Sequence, residues 1–201
     1  MGKNILEEFI SRNEQFIILI LGLPCSNKSS IAKGLSVDMK LKSINVNKYI
    51  KKKSFIKEKI DGLSVKMYEH PDNYNWEKLN NDVNKQKNKG IILYGNYIDT
   101  KKIDFDIDFI FFINMNNLLC KKILLDKKLL PYDKDNEDDD KKINSYFKNY
   151  LNPLYDELKK NIKINKYYNM KEDTSMEETY ENLWDTLMNF IMLNLKSSNK
   201  N

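Results

Sequence analysis

An unbroken apolar run, Phe16–Leu21, ends on Gly22, and a short loop later the chain reaches Lys28-Ser29 and a new apolar periodicity. A run of this length without polar alternation suits a strand buried on both faces, as in a parallel sheet. From Ser29 to Leu41 the residues Ile31, Leu35 and Met39 recur at the spacing of one helix face. Between strand and helix lies Gly22-Leu23-Pro24-Cys25-Ser26-Asn27-Lys28-Ser29. This follows the Walker A pattern of glycine, four residues, glycine, lysine and a hydroxyl residue, with Asn27 in place of the second glycine.

The residue types match phosphate chemistry. Backbone N–H groups at Gly22, Cys25, Ser26, Asn27, Lys28, Ser29 and Ser30, around a Pro24 that has none, can face phosphate oxygens at a helix N-terminus. Lys28 would bridge β- and γ-phosphates, and the Ser29 hydroxyl would ligate Mg²⁺. Asparagine is the residue after glycine that best tolerates positive φ, so Asn27 weakens the pattern without destroying it. The competing reading is an ordinary strand-to-helix turn with an incidental Lys-Ser.

The rest of the chain alternates in the same way. Further strands are expected over Lys42–Asn47, Gly90–Tyr94 and Asp108–Ile113, with Lys166–Asn169 as a fifth, edge strand. Helices are expected over Trp76–Lys87 behind an Asn75 cap, Asn117–Lys128, Lys141–Lys160 around Asn152-Pro153, and Ser175–Leu195. Residues 1–13 read as a polar helix or arm. Residues 51–75 read as irregular with a turn at Asp61-Gly62, residues 129–141 as an acidic lid-region loop, and 197–201 as a flexible tail. The order predicts one α/β domain over 1–201, a three-layer sandwich of the P-loop NTPase type with a mostly parallel five-stranded sheet. Ligands of such sheets bind beyond the carboxyl ends of the strands.

Composition narrows the function classes. The 201 residues carry a net charge of +5, and the basic excess is lysine; the one arginine is Arg12. Nucleic-acid grips lean on arginine forks, so no nucleic-acid partner is expected, and the Lys51–Lys53 run reads as a solvated face. The first apolar run is too short to cross a membrane, and no secretory signal stands at the start. Cys25 and Cys120 have no metal spacing and read as free thiols of a cytoplasmic protein.

From Phe16 to Phe190 the chain resembles, in order, the uridine kinase group of P-loop kinases, and within it the nicotinamide riboside kinases. The phosphate loop carries the resemblance first. It is followed by Ile44-Asn45-Val46-Asn47-Lys48-Tyr49 and by Tyr68-Glu69-His70-Pro71-Asp72 with Trp76-Glu77-Lys78-Leu79. Ile91-Ile92-Leu93-Tyr94-Gly95 comes next, then Cys120-Lys121-Lys122 with Tyr146-Phe147 and Pro153-Leu154-Tyr155.

The resemblance implies ATP and Mg²⁺ as cofactors and a small nucleoside as partner. It places Asn47, Tyr49, Tyr68, Glu69, His70, Asp72 and Tyr94 around that nucleoside, and Lys121 and Lys122 on the transferring phosphate. His70 also reads as a turn residue held extended by Pro71. The chain departs from the family where its catalytic aspartate falls on Asn47 and a glutamate falls on Tyr94. An amide positions a hydroxyl but cannot accept its proton. The expected function is therefore an ATP-dependent nucleoside kinase acting on a ribose 5′-hydroxyl. The alternative is a degenerate kinase that keeps the fold and acts as a binding or scaffold protein. A P-loop hydrolase ranks third, because Asp99 and Asp104 are the nearest carboxylates after Gly95 and neither ends an apolar strand.

Overall fold

The apolar runs become strands of one sheet, buried on both faces. The computed structural model describes residues 5–51, 55–129, 131 and 139–197. In chain order these form α1 (Ile5–Asn13), β1 (Ile17–Gly22), α2 (Lys28–Asp38), β2 (Lys42–Asn45), β3 (Lys57–Ile60) and β4 (Leu63–Lys66). There follow α3 (Trp76–Asn84), β5 (Ile91–Gly95), β6 (Phe109–Met115) and α4 (Asn117–Asp126). The last elements are α5 (Asp139–Tyr146), α6 (Asn152–Asn161), β7 (Lys166–Met170) and α7 (Met176–Ser197). The sheet order is β2-β5-β1-β6-β7, with every pairing parallel.

Alternate strand residues feed two cores. Ile17, Leu19, Leu21, Leu93 and Phe112 pack with α3, α4, α5 and α6 on one face. Ile18, Ile20, Ile92 and Phe111 pack with α1, α2 and α7 on the other. At roughly 1.5–3 kcal/mol for each fully buried large apolar side chain, these two layers supply the main stabilisation of the three-layer sandwich. The P-loop leaves β1 at the sheet's centre, so both cores brace it.

Several expectations are corrected. Of the helix or arm expected over residues 1–13, Ile5–Asn13 is the helix α1, which buries Leu6 and Phe9, with the Phe9 ring against Phe16 and Phe190. The second strand stops at Asn45, and Val46–Tyr49 forms a 3₁₀ turn. The stretch expected to be irregular holds the antiparallel β3–β4 hairpin. Asp61 (φ 48°) and Gly62 (φ 83°) form its tight turn, both in the left-handed region that two-residue hairpins require. The Trp76 helix ends at Asn84, and Lys87–Lys89 forms a separate 3₁₀ turn.

The helix expected over Lys141–Lys160 is split by a π turn at Phe147–Leu151. Pro153 supplies the reason: it has no N–H to continue the α ladder and sits in the first turn of α6, where none is needed. Most of the acidic 129–141 loop, and 198–201 of the expected tail, lie outside the described residues. Among the described residues no helix is long and apolar enough to cross a membrane.

Candidate active site

Gly22 ends β1 where the backbone must pass close to its neighbour. A Cβ there would stand 2.4 Å from the Ile113 carbonyl oxygen of β6, so only glycine fits without moving the strand. The loop then carries two left-handed residues, Cys25 (φ 65°) and Asn27 (φ 55°). Alternation of this kind makes concave amide nests, and Asn27 meets the φ requirement of the glycine it replaces. The Asn27 carbonyl accepts from the Ser30 and Ile31 N–H groups, so the Lys28 and Ser29 N–H groups precede the helical bonding of α2.

Lys28 is buried. Its Nζ donates to the Leu23 carbonyl at 2.5 Å and to Ser26 Oγ at 2.9 Å, and Ser26 is buried as well. Burial pushes the ammonium pKa down to about 8, while Cys120, Cys25 and Glu69 pull in the other direction. A cation held this weakly hydrated is primed to be neutralised by an anion. Ser29 lies exposed in the first turn of α2. A single hydroxyl there suits Mg²⁺, which typically takes one or two protein ligands and fills its shell with phosphate oxygens and water. Among the described residues no three His, Cys, Asp or Glu side chains gather as a metal cage.

Beside this loop opens a cleft of about 560 Å³. Pro24 and Cys25 form its phosphate-loop wall, and Ile50, Phe55, Tyr68, Leu124, Leu129 and Pro131 its apolar lining. Its polar groups are Asn47, Glu69, Asn96, Tyr146 and Lys128. Asn47, Asn96, Glu69 and Tyr146 form one network. Asn47 Oδ1 accepts from the Asn96 N–H at 3.2 Å, and Asn96 Nδ2 donates to Glu69 Oε1 at 3.1 Å. The Tyr146 hydroxyl donates to Glu69 Oε2 at 3.0 Å. Glu69 is buried, and loss of solvent raises its pKa, opposed by the bonds from Tyr146 and Asn96 and by the charge of Lys28.

Tyr155 joins cleft to loop: its hydroxyl lies 2.6 Å from the Asn96 carbonyl and 2.9 Å from the Gly22 carbonyl. Buried Cys120 donates from Sγ to the Pro24 carbonyl at 3.2 Å, and burial pushes its thiol up to about 12.

The sequence matches no protein-family model and no curated protein. Among solved structures, the chain is similar to shikimate kinase from Bacteroides thetaiotaomicron, with a TM-score of 0.50 and 13% identity over 87% of this chain and 99% of that one. The fold is that of a P-loop kinase. Thymidylate kinase from Candida albicans has a TM-score of 0.49 and 16% identity, over 87% of this chain and 92% of its own. The YorR protein from Bacillus subtilis, in complex with phosphorylated GDP, has a TM-score of 0.48 and 16% identity, over 86% of this chain and 95% of its own. The likeness to shikimate kinase is one of fold alone and does not single out the uridine kinase or nicotinamide riboside kinase group.

On this P-loop kinase fold the expected site residues divide. Asn47, Tyr68 and Glu69 share the cleft with the phosphate loop. Tyr94 does not join them: it packs in the opposite core with Ile20 and Ile31, because β5 turns its even residues to the α2 side. Tyr49 leaves the cleft to bond Asp82 of α3 at 2.8 Å. His70 caps the Pro71–Asn73 turn, its Nδ1 accepting from the Asp72 N–H at 3.3 Å, and lines a separate groove; Asp72 is exposed.

Lys121 is also off the cleft, donating to Asn144 at 2.6 Å over the Phe147 ring, and Lys122 pairs with Glu172 at 3.2 Å. The cation that lines the cleft is Lys128, beyond the end of α4, with Lys127 near enough to act on the Cys25 thiol. Asn96 and Lys128 were not singled out from sequence. The one available signal for Asn96 was its place just past the carboxyl end of an inner strand.

Proposed function

We propose that the protein is a nucleoside kinase, moving the γ-phosphoryl group of ATP–Mg²⁺ to the 5′-hydroxyl of a nucleoside without anionic groups, of the uridine or nicotinamide riboside type. The observation that carries this reading is the character of the cleft beside the phosphate loop. Its volume is in the range of small-ligand sites. It offers an apolar wall with the Phe55 and Tyr68 rings edge to face at 5.1 Å, suited to a planar base. It also offers a carboxylate and two carboxamides suited to ribose hydroxyls.

Lys128 is the one cation in that lining among the described residues, and Arg12 sits on α1 beside Glu8. A nucleoside monophosphate or a carboxylate acceptor calls for several fixed cations, arginine above all. In this reading Lys28 holds the β- and γ-phosphates, Ser29 holds Mg²⁺, Lys128 balances the transferring charge, and Asn47 and Glu69 hold the sugar. Mg²⁺ supplies charge neutralisation between phosphates when bound.

A second reading, a degenerate kinase serving as a binding protein, is favoured by Asn47, whose amide oxygen is already engaged by the Asn96 N–H. Thermal melts with ATP–Mg²⁺ test the shared premise. The wild type should gain several degrees at saturating ATP, and Lys28→Ala should gain none. An equal gain in both proteins refutes nucleotide binding at this loop.

A further inference from the structure

Resting on the kinase reading, we propose that Glu69, rather than the residue at position 47, takes the proton of the attacking hydroxyl, with Asn96 and Tyr146 holding its carboxylate in place. Asn47 has no proton-accepting carboxylate, and its Oδ1 is committed to the Asn96 N–H at 3.2 Å. Glu69 is the one carboxylate lining the cleft among the described residues, and it shares that lining with Pro24 and Cys25 of the phosphate loop. Asn96 Nδ2 fixes Oε1 at 3.1 Å and Tyr146 fixes Oε2 at 3.0 Å. The backbone N–H of Glu69 takes a third place on the carboxylate, and the fourth lone pair is left for a substrate hydroxyl.

The groups around Glu69 come from every neighbouring element. They are Lys28 from α2, Cys120 from α4, Tyr74 before α3, Tyr146 from α5, Tyr150 from the π turn and Tyr155 from α6. Burial raises the pKa of each phenol and of the thiol, so they stay neutral at physiological pH. Lys28 is the charge that faces the carboxylate. Burial of Glu69 among phenols raises its proton affinity, which moves a carboxylate towards the range useful for a base at neutral pH. In the step itself the hydroxyl oxygen bonds to the γ-phosphorus as its proton passes to Glu69. The bridging bond between the β- and γ-phosphates breaks, and its electron pair leaves with the nucleoside diphosphate.

The test is kcat and KM against pH for wild type, Glu69→Gln, Glu69→Asp and Tyr146→Phe. The acceptor is the nucleoside turned over fastest among uridine, cytidine and nicotinamide riboside, and ATP-induced thermal stabilisation is measured for each protein. Glu69→Gln should lower kcat by roughly 10²- to 10⁴-fold, lose the acidic limb of the profile and keep its ATP stabilisation. Glu69→Asp should recover part of the rate. Tyr146→Phe should move the acidic limb to higher pH, because the lost hydrogen bond favoured the ionised carboxylate. A Glu69→Gln protein with raised nucleoside KM and unchanged kcat overturns the proposal, as does an acidic limb that survives in it. Should Glu69→Gln not fold, an unmoved limb in Tyr146→Phe overturns it. Wild-type turnover with an indifferent Glu69→Gln sinks this role alone, whereas ATP stabilisation with no nucleoside phosphorylated sinks the kinase reading as well.

Discussion

Replacing Lys28 with methionine removes the cation at the centre of the phosphate loop and should stabilise the protein as it disables it. The Lys28 pKa falls from an ordinary 10.5 to about 8 in the folded chain, chiefly through burial. Between those values the unfolded chain binds the proton more fully than the folded one, so stability rises with pH across that window. Each pKa unit is worth about 1.4 kcal/mol, so the full effect is of the order of 3 kcal/mol. The same amount is the cost, at pH 7, of keeping the charge buried. Urea unfolding of wild type and Lys28→Met at pH 7 and pH 10 measures both. Titrating groups remote from Lys28 cancel in the difference between the two proteins. The wild-type free energy of unfolding should rise from pH 7 to pH 10 relative to that of Lys28→Met by about 2–3 kcal/mol. Parallel pH dependences would refute the claim that Lys28 is held charged at an energetic cost.

Other substitutions probe the geometry around it. Gly22→Ala drives a Cβ to 2.4 Å from the Ile113 carbonyl and should cost at least about 1–3 kcal/mol, read as a lower urea midpoint and weaker ATP stabilisation. Asn27→Gly should leave stability and ATP affinity nearly unchanged, since Asn27 already occupies the left-handed region, while Asn27→Ala should cost about 1–2 kcal/mol in urea unfolding. Tyr155→Phe removes the hydroxyl that joins the Asn96 and Gly22 carbonyls, and should cost about 1 kcal/mol in stability while raising the KM for both substrates.

The strands were legible because parallel strands buried on both faces leave continuous apolar runs, as Phe16–Leu21 and Asp108–Ile113 do. The phosphate loop was legible because glycine, lysine and serine stand at fixed offsets between two such signals. The β3–β4 hairpin was not. Lys57, Glu58 and Lys59 are all exposed, Ile60 and Val65 are the buried side chains among the described residues of the hairpin, and the Asp61-Gly62 turn was the one visible trace. Tyr94 misled because position along a strand does not say which face a residue takes until the register is known. Lys121 and Lys122 follow lid residues in order, yet α4 points them at Asn144 and Glu172, and the cleft meets Lys128 one turn and more beyond. The Asn47–Asn96–Glu69–Tyr146 network joins four separate segments through side-chain hydrogen bonds, which no local pattern encodes.

The most direct measurement is transfer of label from γ-³²P-ATP with Mg²⁺ to acceptors of contrasting charge. The panel would hold uridine, cytidine and nicotinamide riboside, the matching 5′-monophosphates, and shikimate as a carboxylate acceptor. A cleft walled by apolar side chains and served by Lys128 predicts label on an unphosphorylated nucleoside and none on the anionic acceptors. Label on a monophosphate or on shikimate, or release of inorganic phosphate alone, would contradict the account.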